Sequence, residues 1–171
     1  MCHGRRRWLG IISMVSMLAI GILSCVSPAQ IPEVGVPAPD FTLPTTVGSE
    51  VTLSQFRGVP VVLYLWTTWC QYCIEELGYL ALVVEEKGSQ LTVVAVNIGG
   101  EATEVKQVAG EGGANFIIAI DEGGKLLSAY GMRYLPAAFF IDSQGIIRGK
   151  RVGAFYSRQT LLTELDSFLA R

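Results

Sequence analysis

Two thiols stand three residues apart in Cys70-Gln71-Tyr72-Cys73. Sulfurs at this spacing can exchange electrons with a partner disulfide, hold part of a metal site, or staple the chain. A staple gains little, because so short a loop removes little entropy from the unfolded chain. A zinc site needs four N, S or O ligands with imidazole or thiolate predominating. The single His is His3, and the other two Cys are Cys2 and Cys25, all in an N-terminal segment of different character. Redox exchange is what remains, with no metal and no cofactor beyond the dithiol expected. In that chemistry Cys70 attacks a substrate disulfide and Cys73 resolves the mixed disulfide. Glu76 lies three residues after Cys73, on the same face of any helix that carries both. Its carboxylate can take the Cys73 proton, provided burial raises its own proton affinity. The alternative is an ordinary surface acid, which is the expectation for its neighbour Glu75.

These groups need a rigid frame. Val59 to Trp66 is apolar apart from the Tyr64 hydroxyl, and a continuous run of that length suits a strand buried on both faces. From Cys73 onward Ile74, Leu77, Leu80, Ala81 and Val84 recur at helical steps, with Glu75, Glu76, Glu85, Glu86 and Lys87 interleaved, up to Gly88. This spacing predicts a helix. Cys70 then sits where a strand feeds a helix. Unpaired N–H groups and the positive end of the dipole stabilise a thiolate there, lowering its pKa.

The chain has 171 residues, half of them hydrophobic and 16% charged, which excludes intrinsic disorder. The formal net charge is −2, so the chain lacks the basic surface of a nucleic-acid binder. No G-x-G-x-x-G, P-loop or N-x-[ST] motif occurs. The first residues differ from the rest. Arg5, Arg6 and Arg7 precede a run from Trp8 to Val26 that carries no charge. A basic start, an apolar middle and small residues before a break make a secretory signal pattern. Ile22-Leu23-Ser24-Cys25 resembles a bacterial lipobox, with Cys25 as the lipidated residue. The other expectation is an uncleaved helix, since the run approaches the ~20 residues that span a bilayer. Either way the Arg cluster stays inside and the domain lies on the extracytoplasmic face of the membrane. Residues 1–24 are thus expected to be a signal peptide or anchor, and 25–35 an extended, Pro-containing linker. Residues 1–24 hold three Arg and no acid, so the remainder carries 10 basic against 15 acidic residues, a formal −5.

Trp66-Thr67-Thr68-Trp69-Cys70-Gln71-Tyr72-Cys73, placed after an apolar strand, resembles the active site of the thioredoxin fold. The following Ile74-Glu75-Glu76-Leu77 is similar to the TlpA/ResA-type membrane-anchored branch, in which a Glu at the position of Glu76 handles active-site protons. The resemblance covers residues 36–171. It implies an α/β, thioredoxin-like fold: a central mixed β-sheet flanked by helices, with an N-terminal hairpin and an inserted βα segment. Val36 to Leu43 matches the start of such a domain, with a hairpin through Gly48 to Thr52. Strands are expected at Leu91–Ile98 and Phe116–Ile120, linked by a helix near Glu101–Ala109 and the loop Gly110–Gly113. A short helix from Gly124 to Tyr130 follows. Tyr134-Leu135-Pro136 leads into a strand at Ala137–Ile141, a turn at Asp142–Gly145 and a strand at Ile146–Val152. Ser157 caps a last helix whose apolar face uses Leu161, Leu162, Leu165, Phe168 and Leu169.

The resemblance makes Pro136 a cis-proline beside the Cys pair. It also gives the backbone of Leu135 the role of pairing with an extended substrate segment. Trp69, Gln71 and Tyr72 complete the implied substrate-binding rim, whereas Trp66 continues the strand into the core. The implied activity is a membrane-tethered thiol–disulfide oxidoreductase that reduces disulfides in exported proteins, apocytochrome c being one such substrate. An integral-membrane thiol protein would supply its electrons. Three departures stand out. Tyr64 occupies the place of the buried acid of thioredoxin, Gln71-Tyr72 is an unusual dipeptide, and Gly78 replaces a frequent Pro and is expected to loosen the helix. Two other classes compete. A peroxiredoxin-like peroxidase needs a Pro and a Thr before its reactive Cys; Thr67 fits, but Leu63 stands in place of the Pro. A non-catalytic tethered binding domain would keep its partner after Cys70→Ser. Arg148, Lys150 and Arg151 are expected to form a solvated basic face.

Overall fold

The computed structural model describes residues 32–113 and 115–169. Cys2, His3, the expected signal segment 1–24, Cys25 and the linker up to residue 31 lie outside these residues. Among the described residues no helix is long and apolar enough to cross a membrane.

A two-stranded antiparallel hairpin opens the domain, β1 (Thr42–Pro44) with β2 (Glu50–Thr52). A 3₁₀ turn at Leu53–Phe56 follows. Then come β3 (Val61–Trp66), α1 (Gln71–Lys87), β4 (Thr92–Ile98), α2 (Ala102–Ala109) and β5 (Phe116–Asp121). The chain closes with α3 (Lys125–Ala129), β6 (Ala137–Ile141), β7 (Ile147–Val152) and α4 (Arg158–Leu169). The main sheet has the order β5-β4-β3-β6-β7, with β3, β4 and β5 parallel and β6 and β7 antiparallel to their neighbours.

β3 is the middle strand, and all six of its residues are buried. Successive side chains alternate between the two faces. Val62, Tyr64 and Trp66 join Cys73, Leu77 and Leu80 of α1 and Leu161 and Leu165 of α4 in one core. Val61, Leu63 and Leu65 meet Val51 and Leu53 of the hairpin region, Leu126 and Tyr130 in the other. A strand enclosed in this way has to be apolar throughout. For this reason the run at Val59–Trp66 showed no alternation, and Pro60, which lacks a donor, falls just before its first rung.

α1 starts two residues earlier than its apolar spacing suggested, because Gln71 and Tyr72 form the exposed first turn. It runs without interruption through Gly78, which is exposed and has no neighbour where a Cβ would stand. Gly78 therefore does not loosen the helix; its cost is confined to conformational entropy. Ser157 caps α4, its Oγ accepting from the Thr160 N–H at 3.1 Å.

The expectation of a solvated basic face is corrected. Arg148 pairs with Asp142 at 2.6 Å, Lys150 with Glu33 at 3.1 Å, and Arg151 with Glu164. Strand β7 lies at the sheet edge, where the hairpin turn supplies Asp142 to Arg148, while Glu33 and Glu164 come from outside the hairpin to Lys150 and Arg151. The end of the expected linker is not extended either. Val34 and Gly35 turn, and Gly35 N–H donates to Ile147 O at 2.8 Å while Ile147 N–H donates to Val36 O at 3.0 Å. An isolated bridge joins Pro37 to Ile146. The chain thus joins the domain at the start of β7, level with Ile141 and Val61, whereas β3 delivers Trp66 and Cys70 to the opposite end of the sheet.

Candidate active site

Thr67 to Cys70 form the turn between β3 and α1, closed by Cys70 N–H donating to Thr67 O at 3.2 Å. Cys70 is the N-cap of α1, and its sulfur accepts the Cys73 N–H at 3.2 Å. A helix of 17 residues therefore directs its unpaired amides and the positive end of its dipole at this sulfur. Cys70 and Cys73 are joined as a disulfide with Cα atoms 5.2 Å apart. The two sulfurs differ in access. Cys70 is half-buried at the surface, and Cys73 is fully buried.

The rim is aromatic. Trp69 is 82% exposed and Tyr72 62%, and Tyr72 meets Tyr156 edge-on with ring centroids 6.5 Å apart. Gln71 is exposed and donates from Nε2 to Glu75 at 3.2 Å. Glu75 is itself exposed. Trp66 is fully buried. The Leu135–Pro136 peptide bond is cis. Ala137 is in register with Leu65, so Pro136 stands level with Trp66, beside the turn that carries Cys70. Pro136 is buried, its carbonyl accepting from Gly153 N–H, and Leu135 is half-buried on the same core as Cys70. Tyr134 just before it is 73% exposed.

Glu76 is 2% exposed. The Tyr64 hydroxyl donates to its Oε2 at 2.7 Å and approaches Cys73 O at 3.3 Å. The Phe155 N–H donates to Oε1. Burial raises the Glu76 pKa above its ordinary value, and bonds from Tyr64, Phe155 and the Tyr156 backbone, with the nearby Arg151, oppose that rise without cancelling it. Arg151 is largely engaged elsewhere. Its guanidinium bonds Ala154 O and Glu164 and lies 5.0 Å from the centre of the Phe155 ring. A cavity of about 120 Å³ lined by Tyr72, Glu75, Glu76, Tyr79, Ala154 and Tyr156 opens beside the carboxylate. Two larger clefts of about 300 Å³ flank the N-terminal hairpin, away from the dithiol. Among the described residues no group of three or more His, Cys, Asp or Glu is placed to hold a metal ion.

The structure brings together Cys70, Cys73 and Glu76, with Trp69, Tyr72, Leu135 and Pro136 around them. Three participants escaped the sequence. Tyr64 gave one signal, a lone hydroxyl inside an apolar strand, since a buried hydroxyl needs a partner. Phe155 gave none, because it reaches Glu76 from 79 residues away, and its neighbour Tyr156 gave none for the same reason.

The fold and the dithiol together define a thioredoxin-like thiol–disulfide oxidoreductase, an enzyme whose redox group is its own disulfide. Residues 34–150 match the AhpC/TSA family. The chain is 34% identical over 137 residues to the thiol-disulfide oxidoreductase ResA of Geobacillus thermodenitrificans, which is 78% of this chain and 77% of that one. A thiol:disulfide interchange protein DsbE from Chlorobium tepidum superposes with a TM-score of 0.69 at 28% identity, over 78% of this chain and 99% of the other. The exposed lipoprotein thioredoxin of Streptococcus pneumoniae gives 0.65 at 30% identity, over 75% and 99%. The chain belongs to the AhpC/TSA family, among its ResA-type thiol–disulfide oxidoreductases.

Proposed function

We propose that this protein is tethered to the extracytoplasmic face of the membrane and reduces disulfides in exported proteins, with Cys70 as the attacking and Cys73 as the resolving sulfur. The observation that carries the proposal is the position of Cys70 as N-cap of α1, reachable from outside, with a buried Cys73 and a buried carboxylate behind it. Cys70 as thiolate attacks a substrate sulfur, and the other substrate sulfur leaves with the electron pair. Glu76 then takes the proton of Cys73, whose thiolate attacks Cys70 and releases the reduced substrate. Two electrons pass from the dithiol to the substrate, and an integral-membrane thiol protein restores them.

Trp69, Gln71, Tyr72 and the backbone of Leu135, with Pro136 beside it, receive an extended substrate segment at Cys70. Apocytochrome c awaiting haem attachment has the required chemistry, a Cys pair in an unfolded chain. The tether is Cys25 carrying lipid after loss of residues 1–24. The similarity to a protein described as an exposed lipoprotein thioredoxin supports this reading.

Cys73→Ser tests it. The variant should accumulate a mixed disulfide between Cys70 and an exported protein in the membrane fraction, with a diacylglyceryl group on Cys25 by mass spectrometry. Absence of any Cys70 adduct would remove the assignment. The AhpC/TSA match favours one second reading, a thiol peroxidase. Leu63 argues against it, since it lies inside β3, paired with Val94 and Phe139, where such an enzyme needs a Pro before its reactive Cys.

A further inference from the structure

Tyr64 sits in the middle of the central strand with its whole side chain buried. A phenylalanine would fill the same space without taking a hydroxyl out of water, so the hydroxyl is present for what it contacts. It contacts the proton-handling end of the site. One phenol proton goes to Glu76 Oε2 at 2.7 Å, and the same oxygen lies 3.3 Å from the carbonyl of Cys73. The second carboxylate oxygen, Oε1, is taken by Phe155 N–H from the β7–α4 loop. Two elements on different sides of the side chain thus grip one oxygen each.

We propose that Tyr64 is a positioning residue for the dithiol chemistry: its phenol fixes the Glu76 carboxylate behind Cys73 and holds it as the anion that accepts the Cys73 proton. This rests on the reading of Cys73 as the resolving sulfur. Burial, and then the neighbouring Glu76 charge, push the Tyr64 phenol far above its ordinary pKa, so it remains a donor wherever the enzyme works. The other groups facing Glu76 do not replace it. From α1 these are Cys73, Tyr72, Tyr79 and the exposed Glu75. From β7 comes Arg151, which Glu164 of α4 occupies, and the following loop adds Tyr156. The step balances as a proton transfer followed by exchange. The Cys73 S–H proton moves to Glu76, the Cys70–Cys73 bond forms, the bond from Cys70 to the substrate breaks, and the departing sulfur takes the electron pair.

The test uses the reduced full chain and 5,5′-dithiobis(2-nitrobenzoate). Attack by Cys70 releases a first thionitrobenzoate, and resolution by Cys73 releases a second. In Tyr64→Phe the first phase should be unchanged. The second should slow about tenfold on the acid side of its pH profile and converge with wild type at high pH, because one hydrogen bond to an ionised acceptor is lost. In a Glu76→Gln background the same change should add nothing. An unmoved profile, or an equal slowing in Glu76→Gln, overturns the proposal. If Tyr64→Phe does not fold, 3-fluorotyrosine installed at position 64, a stronger donor, should move the second phase to lower pH, and an unmoved phase again overturns it. A wild-type protein without a second phase would instead remove the resolving role of Cys73.

Discussion

Glu76 and Asp142 are two carboxylates with similar partners and opposite behaviour. Each accepts from backbone N–H groups and one side-chain donor: Phe155 and Tyr64 at Glu76, and Gln144, Ile146 and Arg148 at Asp142. Burial raises the Glu76 pKa, with the bonds failing to cancel it. Burial also acts on Asp142, but the Ile146 and Gln144 amides and the Arg148 guanidinium outweigh it and hold the pKa below the ordinary value. Two differences account for this. Asp142 keeps 16% of its side chain in contact with water and has a cation directly bonded at 2.6 Å. Glu76 is enclosed, and its nearest cation, Arg151, is bonded to Glu164 and Ala154. The number of hydrogen bonds does not decide the titration; solvent access and an undivided cation do. One carboxylate is thereby left able to take up a proton, and the other is locked as the clasp of a β-turn.

Glu76→Gln should separate the two roles most sharply. Removal of the proton acceptor should slow the Cys73 resolution step about a hundredfold near neutral pH, measured by stopped-flow release from Cys70. The raised folded-state pKa means that Glu76 contributes stability below its ordinary value of 4.5 and loses it as pH rises through the raised value. Denaturant titrations should therefore show the variant gaining on wild type as pH increases. A resolution rate that survives the change would place Glu76 with Asp142 as a structural group.

Asp142→Asn should do the reverse. Activity should be retained, and stability should fall by about 2 kcal/mol at neutral pH in urea unfolding. Asp142 has a lowered pKa, so its contribution is present above the ordinary value of 3.8 and is lost as pH falls through the folded value. The gap between variant and wild type should close in acid. A gap that widens in acid would contradict the comparison. The smallest effect is expected from Arg151→Gln. Its charge reaches Glu76 only through space, so resolution should slow about twofold at neutral pH, with the difference fading in high salt.

The sequence carried the frame of this site well because that frame is local. An apolar run, the spacing of α1 and the three-residue step between the cysteines place Cys70 at a helix start. The step from Cys73 to Glu76 put both on one face and favoured Glu76 over Glu75, yet nothing local showed that the Glu76 carboxylate is enclosed and bonded while Glu75 is exposed. What separates them is the packing of α1 against β3, which sets Glu76 beside Tyr64, together with a loop from the far end of the chain. Lys150 and Arg151 were misjudged for the same reason, whereas Arg148 meets Asp142 within its own hairpin. Alternation along a strand shows which way a side chain points, but not that Glu33 and Glu164 arrive to meet it. Long-range partners leave no periodic trace, so a sequence reveals the scaffold of such a site more readily than the electrostatics of its interior.

The junction of residues 35–38 with the start of β7 has one more implication. It lies at one pole of the sheet and Cys70 at the other, separated by the length of a six-residue strand, ~20 Å at about 3.3 Å per residue. A polypeptide held by anything upstream of Pro32 would swing about its rear and carry its reactive sulfur foremost. Incoming chains would then meet the nucleophile without having to pass between the protein and its moorings.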